Sequence, residues 1–153
     1  GFDVSIFFQG TARVSLFEEG STIVPFSSGY KNNDGFLRGV MENRWTVDNP
    51  DPNARYPRTI RPSDALDNNN TKKSSFWVRN AAFLRLKNAE IGYTFPKRWM
   101  EKMAIQNLRL YVSGVNLLTW APDVHLFDPD LGSGDGRKYP PTRVFNVGLN
   151  INF

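Results

Sequence analysis

Asp128, Asp130 and Asp135, in the run Asp-Pro-Asp-Leu-Gly-Ser-Gly-Asp-Gly, are the residues whose spacing comes nearest to a cation loop. Calcium needs carboxylate oxygens at alternate positions, but Gly132 stands where a third oxygen ligand belongs and no distal Glu follows. Calcium is therefore a minor expectation, and no other metal or cofactor is expected. The stretch Gly132 to Gly136 lacks the preceding strand and following helix of a dinucleotide loop. A single histidine, His125, and the absence of cysteine exclude multi-histidine metal sites, zinc ribbons, thiol nucleophiles and disulfide scaffolds. No pair of carboxylates has a context suited to glycoside hydrolysis. The chain offers no catalytic residue and is not expected to be an enzyme.

Binding chemistry is better represented. Trp45, Tyr56, Arg58, Trp77, Arg79, His125 and Tyr139 combine aromatic faces, which suit the apolar sides of rings, with guanidinium groups, which suit carboxylates and hydroxyls. The same side chains serve equally well to pack loops or to meet a lid protein. All of them lie in stretches rich in Asn, Asp, Pro, Gly and Ser, so what positions them must be sought in the elements on either side.

A length of 153 residues is one domain's worth of chain, of which 40% is hydrophobic and 14% aromatic. The net charge of +4 comes from scattered Lys and Arg with no dense basic block, so no nucleic-acid partner is expected. No run approaches the roughly 18 apolar residues of a membrane helix, whereas a membrane strand needs only about 9–11 alternating residues. A β-barrel is thus compatible with this polar average. The chain opens at Gly1 without a methionine or a signal-peptide pattern, which leads to the expectation of a removed signal or a piece of a longer protein.

Period-two alternation marks four strands, at about 1–11, 83–95, 107–120 and 142–153. Phe2, Val4, Ile6 and Phe8 carry the first, Ala89, Ile91, Tyr93 and Phe95 the second, and Leu108, Leu110 and Val112 the third. Phe145, Val147, Leu149, Ile151 and Phe153 carry the last. Within the second strand Leu84 and Leu86 sit in the opposite phase, which either a bulge near Lys87 or Asn88 or a change of environment for that end of the strand accounts for. Long polar excursions at about 12–82 and 121–141 alternate with a short connection at 96–106. That connection places Pro96 at a helical start and Trp99, Met100 and Met103 at helical spacing, so it reads either as a turn at a membrane edge, with Lys97, Arg98 and Lys102 in water, or as an ordinary helical turn on a sheet.

The last eight residues, Asn-Val-Gly-Leu-Asn-Ile-Asn-Phe, set Asn146, Gly148, Ile151 and Phe153 in the pattern polar, any, Gly, any, any, hydrophobic, any, aromatic. This matches the terminal signal read by the outer-membrane assembly machinery, which suits a closing edge strand that can be paired in trans. Phe83-Leu84-Arg85-Leu86-Lys87-Asn88, Ile91-Gly92-Tyr93-Thr94-Phe95-Pro96, the run from Leu108 to Trp120, Asp128-Pro129-Asp130 and Tyr139-Pro140-Pro141-Thr142-Arg143 together resemble the carboxyl-terminal end of SusC/RagA-type TonB-dependent transporters of Bacteroidetes. Arg44-Trp45-Thr46 and Asn53-Ala54-Arg55-Tyr56-Pro57-Arg58 resemble the long loop before it.

The resemblance implies an all-β fold: the last four antiparallel strands of a barrel of about 22 strands with a plugged lumen, long extracellular loops and a periplasmic turn. It implies an outer-membrane importer of glycan or peptide fragments, a SusD-like surface lipoprotein as lid, and TonB contact through a part of the protein upstream. Phe2, Val4, Ile6, Phe8, Ile91, Tyr93, Leu108, Leu110, Val112, Phe145, Val147 and Leu149 would then face lipid. Asn88, Glu90, Thr94, Arg109, Tyr111, Asn146, Asn150 and Asn152 would face the plug or a wet lumen, and Phe2, Phe8, Tyr93, Phe95 and Phe145 would supply the aromatic girdles. Two competing readings remain: a passive outer-membrane porin, and a secreted β-sandwich carbohydrate-binding module.

Overall fold

The computed structural model describes residues 1–20, 37–59, 70, 72–101, 104–134 and 138–153. The chain divides into two units, one made of Gly1–Ala12, Ala82–Ala121 and Pro141–Phe153, the other of Arg13–Ala81 and Pro122–Pro140.

The first unit is a four-stranded antiparallel sheet of β1 (Phe2–Thr11), β4 (Phe83–Thr94), β5 (Asn107–Trp120) and β6 (Val144–Asn152), in that spatial order. These are the four strands expected from alternation, and neighbours in space are also neighbours along the chain once the excursions are set aside. Cross-strand rows follow from the register. Phe2, Tyr93, Leu110 and Leu149 form one row, Val4, Ile91, Val112 and Val147 the next, and Ile6, Ala89, Gly114 and Phe145 the third. Because side chains alternate sides along a strand, these rows occupy one face.

Of the two explanations for the phase reversal, the structure shows the bulge. Phe7 pairs with Asn88 and Phe8 with Leu86, leaving Lys87 unmatched, and β5 answers with two residues, Asn116 and Leu117, between partners of Asn88 and Leu86. Asn116 takes a positive φ of 54°, which an Asn tolerates better than most residues. The bulge restores phase: Leu84 and Leu86 fall on the same face as Gly10 and Phe8, so the apolar surface continues past the irregularity.

Between β4 and β5 a single helical turn, α2 (Lys97–Met100), buries Met100 and leaves Trp99 half exposed. Lys102 and Met103, the rest of the expected helical spacing, lie outside the described residues.

The second unit, drawn from the two long excursions, has secondary structure of its own. It contains a small antiparallel sheet of β2 (Ser15–Phe17) and β3 (Val78–Asn80), a helical turn α1 (Arg38–Glu42) and 3-10 turns at Ser75–Trp77 and Pro129–Leu131. Its core is Val40, Tyr56 and Trp77 in one cluster and Leu16, Ala81 and Val124 in another, with Phe127 packed against both. Burying a side chain such as Leu16 or Val40 contributes about 1.5–3 kcal/mol. A strand of three residues is too short to show a period, which is why alternation does not reveal this sheet.

Candidate functional site

The two faces of the four-stranded sheet differ sharply in chemistry. On the apolar face Phe2, Val4, Phe145 and Val147 are each more than 60% exposed, and Ile6, Ile91, Leu110, Val112, Leu149 and Ile151 are also open. Soluble monomers rarely expose contiguous apolar patches beyond a few hundred Å². Near the α2 end of the sheet the aromatic rings form a chain: Phe2 to Tyr93 at 4.7 Å, Tyr93 to Phe95 at 5.1 Å and Phe95 to Trp99 at 6.4 Å. Of the expected girdle residues, Phe8 and Phe145 sit elsewhere, Phe8 in a row with Leu86 and Leu118 and Phe145 in the row of Gly114.

The opposite face carries the polar set. Ser5, Glu90, Ser113 and Asn146 form one row, and Asp3, Gly92, Tyr111 and Gly148 another. Arg109 lies beside them and joins three strands: its Nη2 is 2.6 Å from Glu90 Oε1, and its Nε is 3.2 Å from Asp3 Oδ1, with Nη2 also bonded to Asp3. A Cβ on Gly92 would overlap the Arg109 guanidinium, and one on Gly148 would overlap the Tyr111 ring. The two glycines thus leave room for two large side chains to lie flat across neighbouring strands. Arg109 in turn stands 5.1 Å from the Tyr111 ring centroid, within cation–π range. Phe7, the apolar residue out of phase in β1, shares this face with Asn88, Val115 and Val144.

In the loop unit the charged centre is Glu18, which is 1% exposed. Arg79 Nε lies 2.9 Å from its Oε2 and Arg55 Nη2 lies 3.4 Å from its Oε1. Arg55 also holds Asp123 across the other excursion, Nη1 to Oδ1 at 2.6 Å, and Asp123 Oδ2 accepts the backbone N–H of Asn80 at 2.9 Å. Burial pushes the Glu18 carboxyl above its ordinary range in spite of the two arginines. For Asp123 burial acts in the same direction, but the bonds from Arg55 and Asn80 outweigh it and hold the carboxyl below the usual range. Burial likewise raises the Tyr56 phenol. The cluster ties residues 18, 55, 79 and 123 into one body.

The seven loop residues singled out for binding chemistry divide into groups. Tyr56 and Trp77 are 1% and 2% exposed, with ring centroids 6.5 Å apart, so they build the interior of the loop unit and present no open face. Arg79 is engaged with Glu18 and donates to the Phe76 carbonyl. Trp45 is half-buried, its N–H bonded to the Tyr56 carbonyl. Arg58, His125 and Tyr139 are exposed. Asp128 is spent locally, accepting from the Asp130 N–H as the cap of the 3-10 turn, and Asp135 lies outside the described residues.

Sequence reasoning passed over Glu18, Arg55 and Asp123, which stand far apart in the chain with no local pattern. It also passed over Phe76. That ring is 44% exposed and lines a cleft of about 160 Å³ with Pro57, Asn70, Ser74 and Trp77. The adjacent aromatic pair in Ser-Ser-Phe-Trp was the available signal.

No family model matches the chain. It is 30% identical over 165 residues to TonB-dependent receptor P3 of Formosa agariphila, an alignment covering 99% of the chain and 15% of that receptor. It is 31% identical over 83 residues to TonB-dependent receptor SusC of Bacteroides thetaiotaomicron, covering 52% of the chain and 8% of the receptor. The solved RagAB peptide transporter matches 100% of the chain and 16% of its own chain, with a TM-score of 0.71 at 23% identity, a likeness of fold. The chain spans 15% of the length of its Formosa relative. Likeness to these receptors in sequence, and a matching fold along the whole chain, make it a segment of an outer-membrane β-barrel of the SusC/RagA-type TonB-dependent receptors.

Proposed function

We propose that this segment forms part of the wall and loops of an importer that brings glycan or peptide fragments, too large for passive pores, across the outer membrane with energy delivered through TonB. One structural neighbour is a peptide transporter, which supports the peptide class, while the glycan class rests on the resemblance to SusC-type transporters. A SusD-like lipoprotein serves as lid, and the excursions at 12–82 and 121–141 open to the cell exterior. The observation that carries this reading is a sheet with one continuous exposed apolar face, a charged opposite face and both edge strands, β1 and β6, open to further pairing. Hydrocarbon is the medium that accepts such a face, and a wet interior accepts Asp3, Glu90 and Arg109.

Two measurements test the reading. Spin labels at Leu108, Leu110 and Val112 of the full-length receptor in bilayers should report hydrocarbon, and labels at Ser113 and Asn146 should report water. The reverse pattern would invert the assignment. Uptake of labelled oligosaccharides or peptides should stop in cells lacking TonB; uptake that continues would identify a passive pore.

A further inference from the structure

We propose that the cleft beside Phe76 is a subsite for one uncharged pyranose ring, with Phe76 as the stacking surface and Ser74 as a hydrogen-bonding group. This rests on the import reading and narrows it to saccharide. Three observations carry it. First, Phe76 is an exposed ring held rigid. The Trp77 ring stands edge-on to it at 5.0 Å and 85°, and the Arg79 guanidinium carbon lies 5.7 Å from its centroid. Trp77 and Arg79 are themselves fixed, the indole N–H by the Asn70 carbonyl at 3.2 Å and the guanidinium by buried Glu18. An apolar ring held in place yet left open to solvent is preorganised to receive a flat apolar surface at little entropic cost.

Second, the Ser74 hydroxyl makes no capping bond to the 3-10 turn that it precedes, so it is available at the rim of the same cleft. Third, the described residues that line the cleft, Pro57, Asn70, Ser74, Phe76 and Trp77, are uncharged, and the Arg79 guanidinium over the Phe76 ring is already paired with Glu18. A neutral ring with C–H groups on one side and hydroxyls at its edge matches both kinds of wall. The volume, about 160 Å³, is below the roughly 300 Å³ at which drug-sized sites begin, so one ring enters and the rest of the oligomer extends outward.

The test uses the full-length receptor in detergent, titrated calorimetrically with neutral malto-, xylo- and manno-oligosaccharides and with uncharged peptides of similar size. At least one oligosaccharide should bind saturably, with affinity about three- to tenfold weaker in Phe76→Ala, as expected for loss of one ring contact. Ser74→Ala should weaken it further, and Phe76→Tyr should restore it. Thermal midpoints close to wild type show that the variants are folded; should Phe76→Ala unfold, Ser74→Ala and Phe76→Tyr alone decide. Oligosaccharide binding indifferent to these changes would overturn the subsite, while the TonB-dependence of uptake still decides the import reading. Binding of peptides alone, or of none of these probes, would also overturn it.

Discussion

Arg109 reaches Asp3 across the whole width of β4, and it can do so because the residue beneath its guanidinium is Gly92. Arg109 and Asp3 stand on strands that do not pair with each other, so the bridge joins β5 to β1 over their common neighbour.

Gly92→Ala should uncouple that pair. A methyl group there overlaps the guanidinium, and the long side chain must swing away. A double-mutant cycle with Asp3→Asn and Arg109→Gln should give a measurable coupling in the otherwise wild-type barrel and none in the Gly92→Ala background. Equal coupling in both backgrounds would show that Gly92 is not what admits the arginine.

Gly148 has the same relation to the Tyr111 ring on the other side of β5. Gly148→Ala should destabilise the folded barrel by about 1–3 kcal/mol through overpacking, read as a lower urea midpoint in detergent. Adding Tyr111→Ala should recover part of that loss, since the ring is then no longer displaced. A simple sum of the two effects would separate them.

Neighbouring residues in β5 should differ in their tolerance of charge. Val112→Arg places a guanidinium among exposed apolar rows and should cost about 2–4 kcal/mol if it lies near the membrane midplane. Ser113→Arg, on the charged face, should cost far less. Similar folding yields for the two in lipid vesicles would contradict a hydrocarbon-facing Val112.

Phe153, 81% exposed at the end of the apolar alternation, completes the terminal assembly pattern. Phe153→Ser should lower the amount of receptor in isolated outer membranes without lowering its synthesis. Unchanged levels would remove the assembly role from this residue.

Glu18 and Asp123 should respond to acid with opposite sign. Burial raises Glu18, so its share of stability is complete below its ordinary 4.5 and is lost as the pH rises through its raised value. Asp123 is depressed, so its share is complete above its ordinary 3.8 and is lost as the pH falls through its lowered value. Acidification from neutrality toward 4.5 should therefore slow amide exchange at Glu18 and Asn80, after correction for the intrinsic pH dependence. Glu18→Gln should abolish this gain and Asp123→Asn should leave it intact. Faster corrected exchange in the same window would reverse the signs.

Alternation by itself determined the four-stranded sheet, because a strand with different media on its two faces must write that difference into every second residue. The reversal of phase between Leu86 and Ala89 marked where the strand is irregular, and the register then chose the bulge over a change of environment, since the unmatched Lys87 brings Leu84 and Leu86 back to the apolar side. Tertiary structure alone decided what the excursions are. Glu18, Arg55, Arg79 and Asp123 meet from four distant points, and a pairing of charges across such separations leaves no local period to read. It also decided which aromatics are available: Tyr56 and Trp77 look like binding residues by type but are enclosed, while Phe76, one residue from Trp77, is open. Residue type limits what a side chain can bind; solvent access, set by how the rest of the chain folds around it, decides whether a ligand can reach it.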